Sequence, residues 1–275
     1  MEDPQLPLLE GCLKGNRKSF EDLVKFFQPK VFALALKFLW NPEDAEDATQ
    51  EILIKVITNL GGFRRESKLT TWVYRIATNH LINSKKSHLE TKNVNFRKVE
   101  IELSKTNIIN TDTSETTKNL TLHVQAACTH AILLCLKRGY RIAFILGEVF
   151  DLSSADGAWI MDISEANYRK RLSRARLQMD DFLGKQCGLS DKKNVCRCKN
   201  RIAYSLKSKR IHSYLALSEK MKENGTWKIK PLLFESKEVR KAAEIYHSGP
   251  DFDTRKDILK KIKENIETNQ WKLLN

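Results

Sequence analysis

Phe20, Leu23, Val24, Phe27, Val31, Leu34 and Phe38 recur at spacings of three and four, the period of one helix face. Asn41-Pro42 ends that run, and Asn41 before Pro42 and Glu43 is a signal for a new start, since proline is tolerated in a first turn. The second helix is predicted to reach about Leu60, with Ala45, Ala48, Ile52, Val56 and Leu60 inward, and Gly61-Gly62 closes it. After a loop over Phe63–Leu69, residues 70–80 predict a third helix with Val73, Ile76, Ala77 and His80 on one side. Residues 87–121, rich in Thr, Asn, Ser, Lys and Glu, show little periodicity and predict a linker. Helical spacing returns at Leu122 through Ala126, Ile132, Leu133 and Leu136. A short helix with Tyr140, Phe144 and Ile145 then ends near Phe150. Residues 151–176 predict two short helices about a tight turn at Asp162-Ile163-Ser164. Ala158 and Ile160 belong to the first; Tyr168, Leu172 and Ala175 face inward on the second, with Ser164 as its N-cap. No internal repeat is apparent. The expected fold is all-α: two small helical domains joined by a flexible linker, with a helical C-terminal extension.

Composition narrows the class. The chain has 275 residues, 41% hydrophobic and 30% charged, which fits a globular protein and excludes a disordered one. Eleven Gly and six Pro exclude collagen-like and low-complexity chains and disfavour a turn-rich sandwich. The first twenty residues start acidic and hold no long apolar run, so no signal peptide is expected. Val31–Trp40 and Ala131–Leu136 fall far short of the roughly 20 residues that span a bilayer. Six scattered cysteines make no disulfide framework, and a reducing cytoplasm is the expected compartment.

The formal net charge of +14 misleads taken whole. Residues 184–275 hold 22 Lys+Arg and 11 Asp+Glu; the preceding 183 hold 26 and 23. Local segregation says more. Glu43, Asp44, Glu46, Asp47 and Glu51 form a purely acidic block, whereas Arg64–Lys86 and Arg169–Arg176 are basic. Separated signs suggest separate partners, although acidic residues early in a helix also suit its dipole. Two helices on a short turn, the second carrying Arg169, Lys170, Arg171, Arg174 and Arg176, match a helix-turn-helix; an ordinary hairpin with a solvated basic face is the alternative.

Taken together, Asn41-Pro42-Glu43-Asp44-Ala45-Glu46-Asp47-Ala48-Thr49-Gln50-Glu51, the stretch Thr71-Trp72-Val73-Tyr74-Arg75-Ile76-Ala77-Thr78-Asn79 and the segment from Ile163 to Arg176 carry a resemblance. In this order they resemble the extracytoplasmic-function (ECF) sigma factors, two-domain specificity subunits of bacterial RNA polymerase. The resemblance spans roughly residues 15–86 and 122–183. It implies a region 2 helical bundle over 1–86, a linker over 87–121, a region 4 helix-turn-helix over 122–186 and an added extension over 187–275. By the same resemblance, Asp44, Asp47, Gln50 and Glu51 meet core polymerase. Promoter melting at the minus-ten element falls to Phe63, Arg64, Arg65, Lys68, Trp72, Tyr74, Arg75 and Asn79. Cations there hold phosphates and aromatic surface replaces lost base stacking, while core packing is an equal alternative for Trp72 and Tyr74. Glu165, Asn167 and Arg169 would read base edges of the minus-thirty-five element, with Lys170, Arg171 and Arg174 on phosphates.

Three positions depart from the family pattern. Asp162 stands where glycine is usual, Gly157 where a larger apolar residue is usual, and Asn83-Ser84-Lys85-Lys86 replaces an Asp and a paired Arg. No Walker loop, nucleotide fingerprint or paired catalytic constellation occurs, so no enzyme is expected. A helix-turn-helix regulator acting at an operator without polymerase is the competing function. The expected partners are core RNA polymerase and promoter DNA, with no membrane. Control by an anti-sigma factor and control in cis by the extension both stay open.

The extension begins Cys187-Gly188-Leu189 and continues to Cys196-Arg197-Cys198, then runs as basic amphipathic helix. Asn224-Gly225 marks a turn, and Ile258, Ile262 and Ile266 align from about Thr254. Cys187, Cys196 and Cys198 with His212 form a candidate zinc set, against the plainer reading of thiols without special chemistry. No other cofactor is expected.

Overall fold

The computed structural model describes residues 3–86, 88–91, 94–106, 108–226, 242–247, 250–254 and 258–260. Helix α1 spans Leu6–Leu13 and α2 Arg17–Leu39, the latter started by the Asn16 side chain, which accepts the Ser19 N–H at 3.0 Å. All seven stripe residues of α2 are buried. Residues Val31, Phe32 and Leu34–Leu39 are buried around the whole circumference, because packing partners lie on more than one side. Helix α3 spans Pro42–Thr58, and Asn41 accepts from the N–H groups of Glu43 and Asp44 at 2.8 and 3.3 Å. Helix α4 spans Leu69–Asn83; its capping residue Lys68 offers no side-chain bond, and Asp3 accepts the Leu69 N–H instead at 2.5 Å. With α1 these helices close the first bundle.

The linker differs from expectation. It contains α5 (His88–Thr91) and α6 (Phe96–Thr106), and the next helix, α7, runs Glu115–Leu133, so it starts seven residues before Leu122. Phe96, Val99 and Leu103 form a narrow apolar face on α6, with the Phe96 and Phe182 rings 5.0 Å apart. The first turns of α7 bury Thr117 and Thr121 rather than aliphatic residues, which hides them from a hydrophobic period. Ser114 caps α7, and Asp112 accepts from Ser114 and Thr117.

Helix α8 (Arg138–Phe144) continues into a π-helical turn over Ile145–Val149, followed by α9 (Ser154–Met161) and α10 (Glu165–Gln186). The second helix of the pair is thus long, at 22 residues, not short. Ser164 caps it, accepting the Asn167 N–H at 3.3 Å. Asp162 takes the left-handed conformation the turn demands, φ 54° and ψ 48°. Gly157 has a packing reason: a Cβ there would lie 2.2 Å from Cζ of the fully buried Tyr168. The larger apolar residue of relatives has no room beside that ring.

In the extension, α11 (Ile202–Lys207), α12 (His212–Glu223) and α13 (Ala242–His247) follow a 3-10 turn at Cys198–Arg201. Gly225 at φ 66° makes the turn expected after Asn224. Ile258 is buried, while Ile262 and Ile266 lie outside the described residues. Helix α12 packs on α3 and α7, and α13 on α7 and α10.

A buried charge cluster joins the modules. Arg141, 2% exposed, donates to the carbonyls of Phe38, Leu133, Leu134 and Leu136 and to Glu90. Arg138 donates to the carbonyls of Leu81, Ile82, Ser84 and Lys85 and to Glu90 at 2.7 Å. Two guanidiniums therefore satisfy the orphan carbonyls at the ends of α2, α4 and α7, and one linker carboxylate accepts from both. No helix among the described residues is long and apolar enough to cross a membrane.

Candidate nucleic-acid interface

Three surfaces carry the predicted residues. On α3 the apolar side enters the bundle and leaves Asp44, Asp47 and Glu51 exposed, with Gln50 half-buried beside them. Burial, then the charges of Asp47 and Glu43, push the Asp44 carboxyl up. Glu46, of the same acidic block, points the other way: it is 1% exposed and accepts from Thr254 Oγ1 at 3.3 Å.

The second surface is the loop after α3 with the start of α4. Phe63 packs on Trp72 with ring centroids 5.5 Å apart, and both rings are half-buried. Arg64 and Lys68 are exposed; Arg65, at φ 60°, pairs with Glu10 at 3.1 Å. A hollow of about 610 Å³ opens beside Trp72, lined also by Lys55, Asn59, Asn79, His80 and Asn83. Lys55 Nζ and His80 Nδ1 are 2.9 Å apart across it. Burial, then the Lys55 charge, lowers the His80 pKa, so the ring is a neutral partner at pH 7. Sequence reasoning names Trp72 and Asn79 but misses Lys55, Asn59 and Asn83, and assigns His80 to the core. The usable signal is spacing: Lys55 and Asn59, like Asn79 and Asn83, are four apart and share a helix face.

Tyr74 and Arg75 sit elsewhere. Tyr74 is buried against Phe150, ring centroids 5.5 Å apart, and its hydroxyl is pushed up to about 12 by burial. Arg75 bonds to Asp162 at 2.7 Å and to the Trp159 carbonyl at 3.0 Å, and stacks 4.7 Å from the Trp159 ring. The helix expected to face melted DNA thus meets α9 of the turn motif.

The third surface is the start of α10. Tyr168, Leu172 and Ala175 turn inward, leaving Glu165, Asn167, Arg169, Lys170 and Arg174 exposed and Arg171 half-buried. Glu165 pairs with Arg169 one turn on, and Arg174 donates to the Tyr140 hydroxyl at 3.1 Å.

The cysteines gather around one short bridge. Cys187 and Cys196 pair as parallel backbone partners, Gly188 N–H donating to the Cys196 carbonyl at 3.1 Å. Cys198 is buried nearby, and α7 adds Cys128, far from the other three along the chain and absent from the candidate zinc set. All four are free thiols, held protonated by burial: Cys128 is pushed up to about 12 and Cys196 to about 11. His212 is exposed at the start of α12. Among the described residues no group of three or more His, Cys, Asp or Glu side chains is arranged to hold a metal ion.

Comparison with known proteins bears on these surfaces. The family profile of Sigma-70 region 2 matches residues 15–89, and that of Sigma-70, region 4 matches residues 126–179. The RNA polymerase sigma-H factor of Pseudomonas aeruginosa is 30% identical over 181 residues, 64% of this chain and 92% of the relative. The ECF RNA polymerase sigma-E factor of Escherichia coli is 30% identical over 185 residues, 63% of this chain and 91% of the relative. CnrH, solved in complex with the cytosolic domain of CnrY, aligns at a TM-score of 0.47 and 19% identity, covering 66% of this chain and 97% of that one. The relatives leave a C-terminal extension unmatched.

Proposed function

We propose a division of labour for this chain, which belongs to the extracytoplasmic-function family of RNA polymerase sigma factors. The protein binds core polymerase and promoter DNA, directs transcription initiation and is not an enzyme. In our reading α3 docks on polymerase through Asp44, Asp47, Gln50 and Glu51. Arg64, Arg65 and Lys68 hold minus-ten phosphates. The hollow beside Trp72 takes an extruded base, with Asn79 on its polar edge. Unstacking a base costs a few kcal/mol, and an aromatic wall with amide donors offsets that. Glu165, Asn167 and Arg169 read the minus-thirty-five element while Lys170, Arg171 and Arg174 position the helix on phosphates. This work is placed in the bacterial cytoplasm, where polymerase and promoter meet.

The observation that carries the reading is the segregation of exposed groups: acidic on α3, basic and aromatic on the next loop, basic on α10. The experiment is to mix the purified protein with sigma-free core polymerase and select promoters from a genomic DNA library. The expected outcome is a stable complex that enriches fragments sharing two spaced elements. DNA binding by the protein alone, with no polymerase complex, would overturn it in favour of an operator-binding regulator.

The contact between α4 and α9 adds control. Promoter elements named for positions ten and thirty-five lie 25 base pairs apart by those names, roughly 85 Å at about 3.4 Å per pair. Two modules joined through Arg75 and Asp162 at 2.7 Å do not span that distance, so the closed form opens before it initiates. The described part of the extension packs on α3, α6, α7, the π-helical turn and the later part of α10, where Asp180 accepts the Ala242 N–H at 2.9 Å. Cis-regulation, in this reading, works by holding the modules together rather than by covering the reading helix. Fluorescence energy transfer between labels at Lys86 and Gln178 should be high in the free protein and fall when polymerase and promoter are added. An unchanged signal removes the closed form as a control element.

A further inference from the structure

One part of the molecule is used by none of these roles, and it lies where its segments meet. A cavity of about 330 Å³ is walled by Trp40 beyond the end of α2, Leu103 of α6, and Val124 and Ile132 of α7. Arg201 and Arg210 of the extension close one side. The volume falls within the range of small-molecule sites, which favour such junctions. Most of the wall is apolar, and its charged groups meet at one place, where two guanidiniums, Arg201 and Arg210, share the wall carboxylate of Glu102. Arg201, whose side chain is 5% exposed, donates to Glu102 at 2.8 Å, and Arg210 grips both carboxylate oxygens at 2.5 Å. Both guanidiniums lie 5.1 Å from the centre of the Tyr204 ring, which fixes their planes. Cys128, also on the wall, stays a neutral thiol and adds no negative charge. A buried cation in excess over its counterions is costly, and an anion placed beside it recovers that cost.

We propose that this cavity binds a small amphiphile carrying one carboxylate, its apolar body against Trp40, Leu103 and Ile132 and its head group at Arg201 and Arg210. A neutral amphiphile of the same length gains the apolar contact but leaves the charge uncompensated; a cationic one is repelled. The wall residues come from the first module, the linker, the second module and the extension, so a ligand there also ties these four parts together.

The test uses the intact protein, with decanoate and decan-1-ol as probes, read by titration calorimetry and by the thermal midpoint. Decanoate should bind saturably at one site and raise the midpoint, and decan-1-ol should bind about tenfold more weakly, the weight of one charged hydrogen bond. Ala131→Trp places an indole in the cavity and should abolish decanoate binding without lowering the midpoint of the free protein. Arg210→Gln should reduce decanoate affinity about tenfold and leave decan-1-ol unchanged. Absence of saturable binding, or decanoate binding that survives Ala131→Trp, overturns the site. Equal affinity for the two probes overturns the carboxylate. None of these readouts depends on polymerase or promoter, so a failure here leaves the sigma-factor assignment as it stands.

Discussion

Two helices of this protein are expected to touch bases, and they stand in opposite situations. The start of α10 is open: its apolar side is used up within its own module against α8 and α9, and the reading residues face outward. Helix α4 has two buried sides. Val73, Ala77 and Leu81 serve its own bundle, while Tyr74 and Arg75 are taken by Phe150, Trp159 and Asp162 of the other module. The exposed side of α10 is therefore open in the closed arrangement, whereas α4 is divided: Trp72 and Asn79 stay open to the hollow while Tyr74 and Arg75 are covered.

The strongest way to break that contrast is to remove what joins the modules. Arg141→Met strands four carbonyls and weakens the compensation of Glu90; breaking such a buried pair costs about 3 kcal/mol or more. Urea denaturation should show an earlier and less cooperative transition, and a coincident wild-type curve would deny the cluster its joining role. Gly157→Ala strikes the reading module alone. The added methyl overlaps the Tyr168 ring, and overpacking of this kind costs about 1–3 kcal/mol. Minus-thirty-five affinity should fall while polymerase docking holds.

Acid acts on the contact between α7 and the extension. His130 and His123 are both held below their ordinary pKa, chiefly by burial, and they bond to Tyr214 and Ser218. A histidine whose folded pKa is depressed binds more protons when unfolded, so its stabilising contribution is intact above the unfolded value of about 6.5 and is lost as pH falls below it. Each group contributes at most ~1.4 kcal/mol per pH unit. Denaturation midpoints at pH 7.5 and 5.5 should differ in that sense, and His130→Phe should flatten the dependence. The smallest effect belongs to the latch. Asp162 is largely exposed, so Asp162→Asn should cost less than about 1 kcal/mol, read as a few-fold rise in the open fraction by energy transfer. No change would mean that the apolar contact alone closes the modules.

The helices of both modules are legible because their apolar positions keep period across long runs, as in α2, and because Asn41 and Ser164 are capping residues in the right places. Helix α6 is harder to read, since it turns only about one apolar residue per turn inward, leaves Ile101 exposed, and has Glu102 meeting arginines about a hundred residues away. The same holds for Glu90: nothing local marks a linker carboxylate as the counterion of Arg138 and Arg141. At the candidate interface, residue type picks out the loop and both basic helices. Which side of α4 stays open depends on where α9 lies, and that is a tertiary fact that helical period does not encode.

The closed arrangement also equips the molecule with its own optical gauge. Trp40 donates its indole N–H to the Ala127 carbonyl at 2.7 Å, and Trp159 lies under the Arg75 guanidinium. Both chromophores sit on the seam between modules, one bonded across it and the other roofed by a cation. Parting the seam would wet both indoles and shift their emission to longer wavelength.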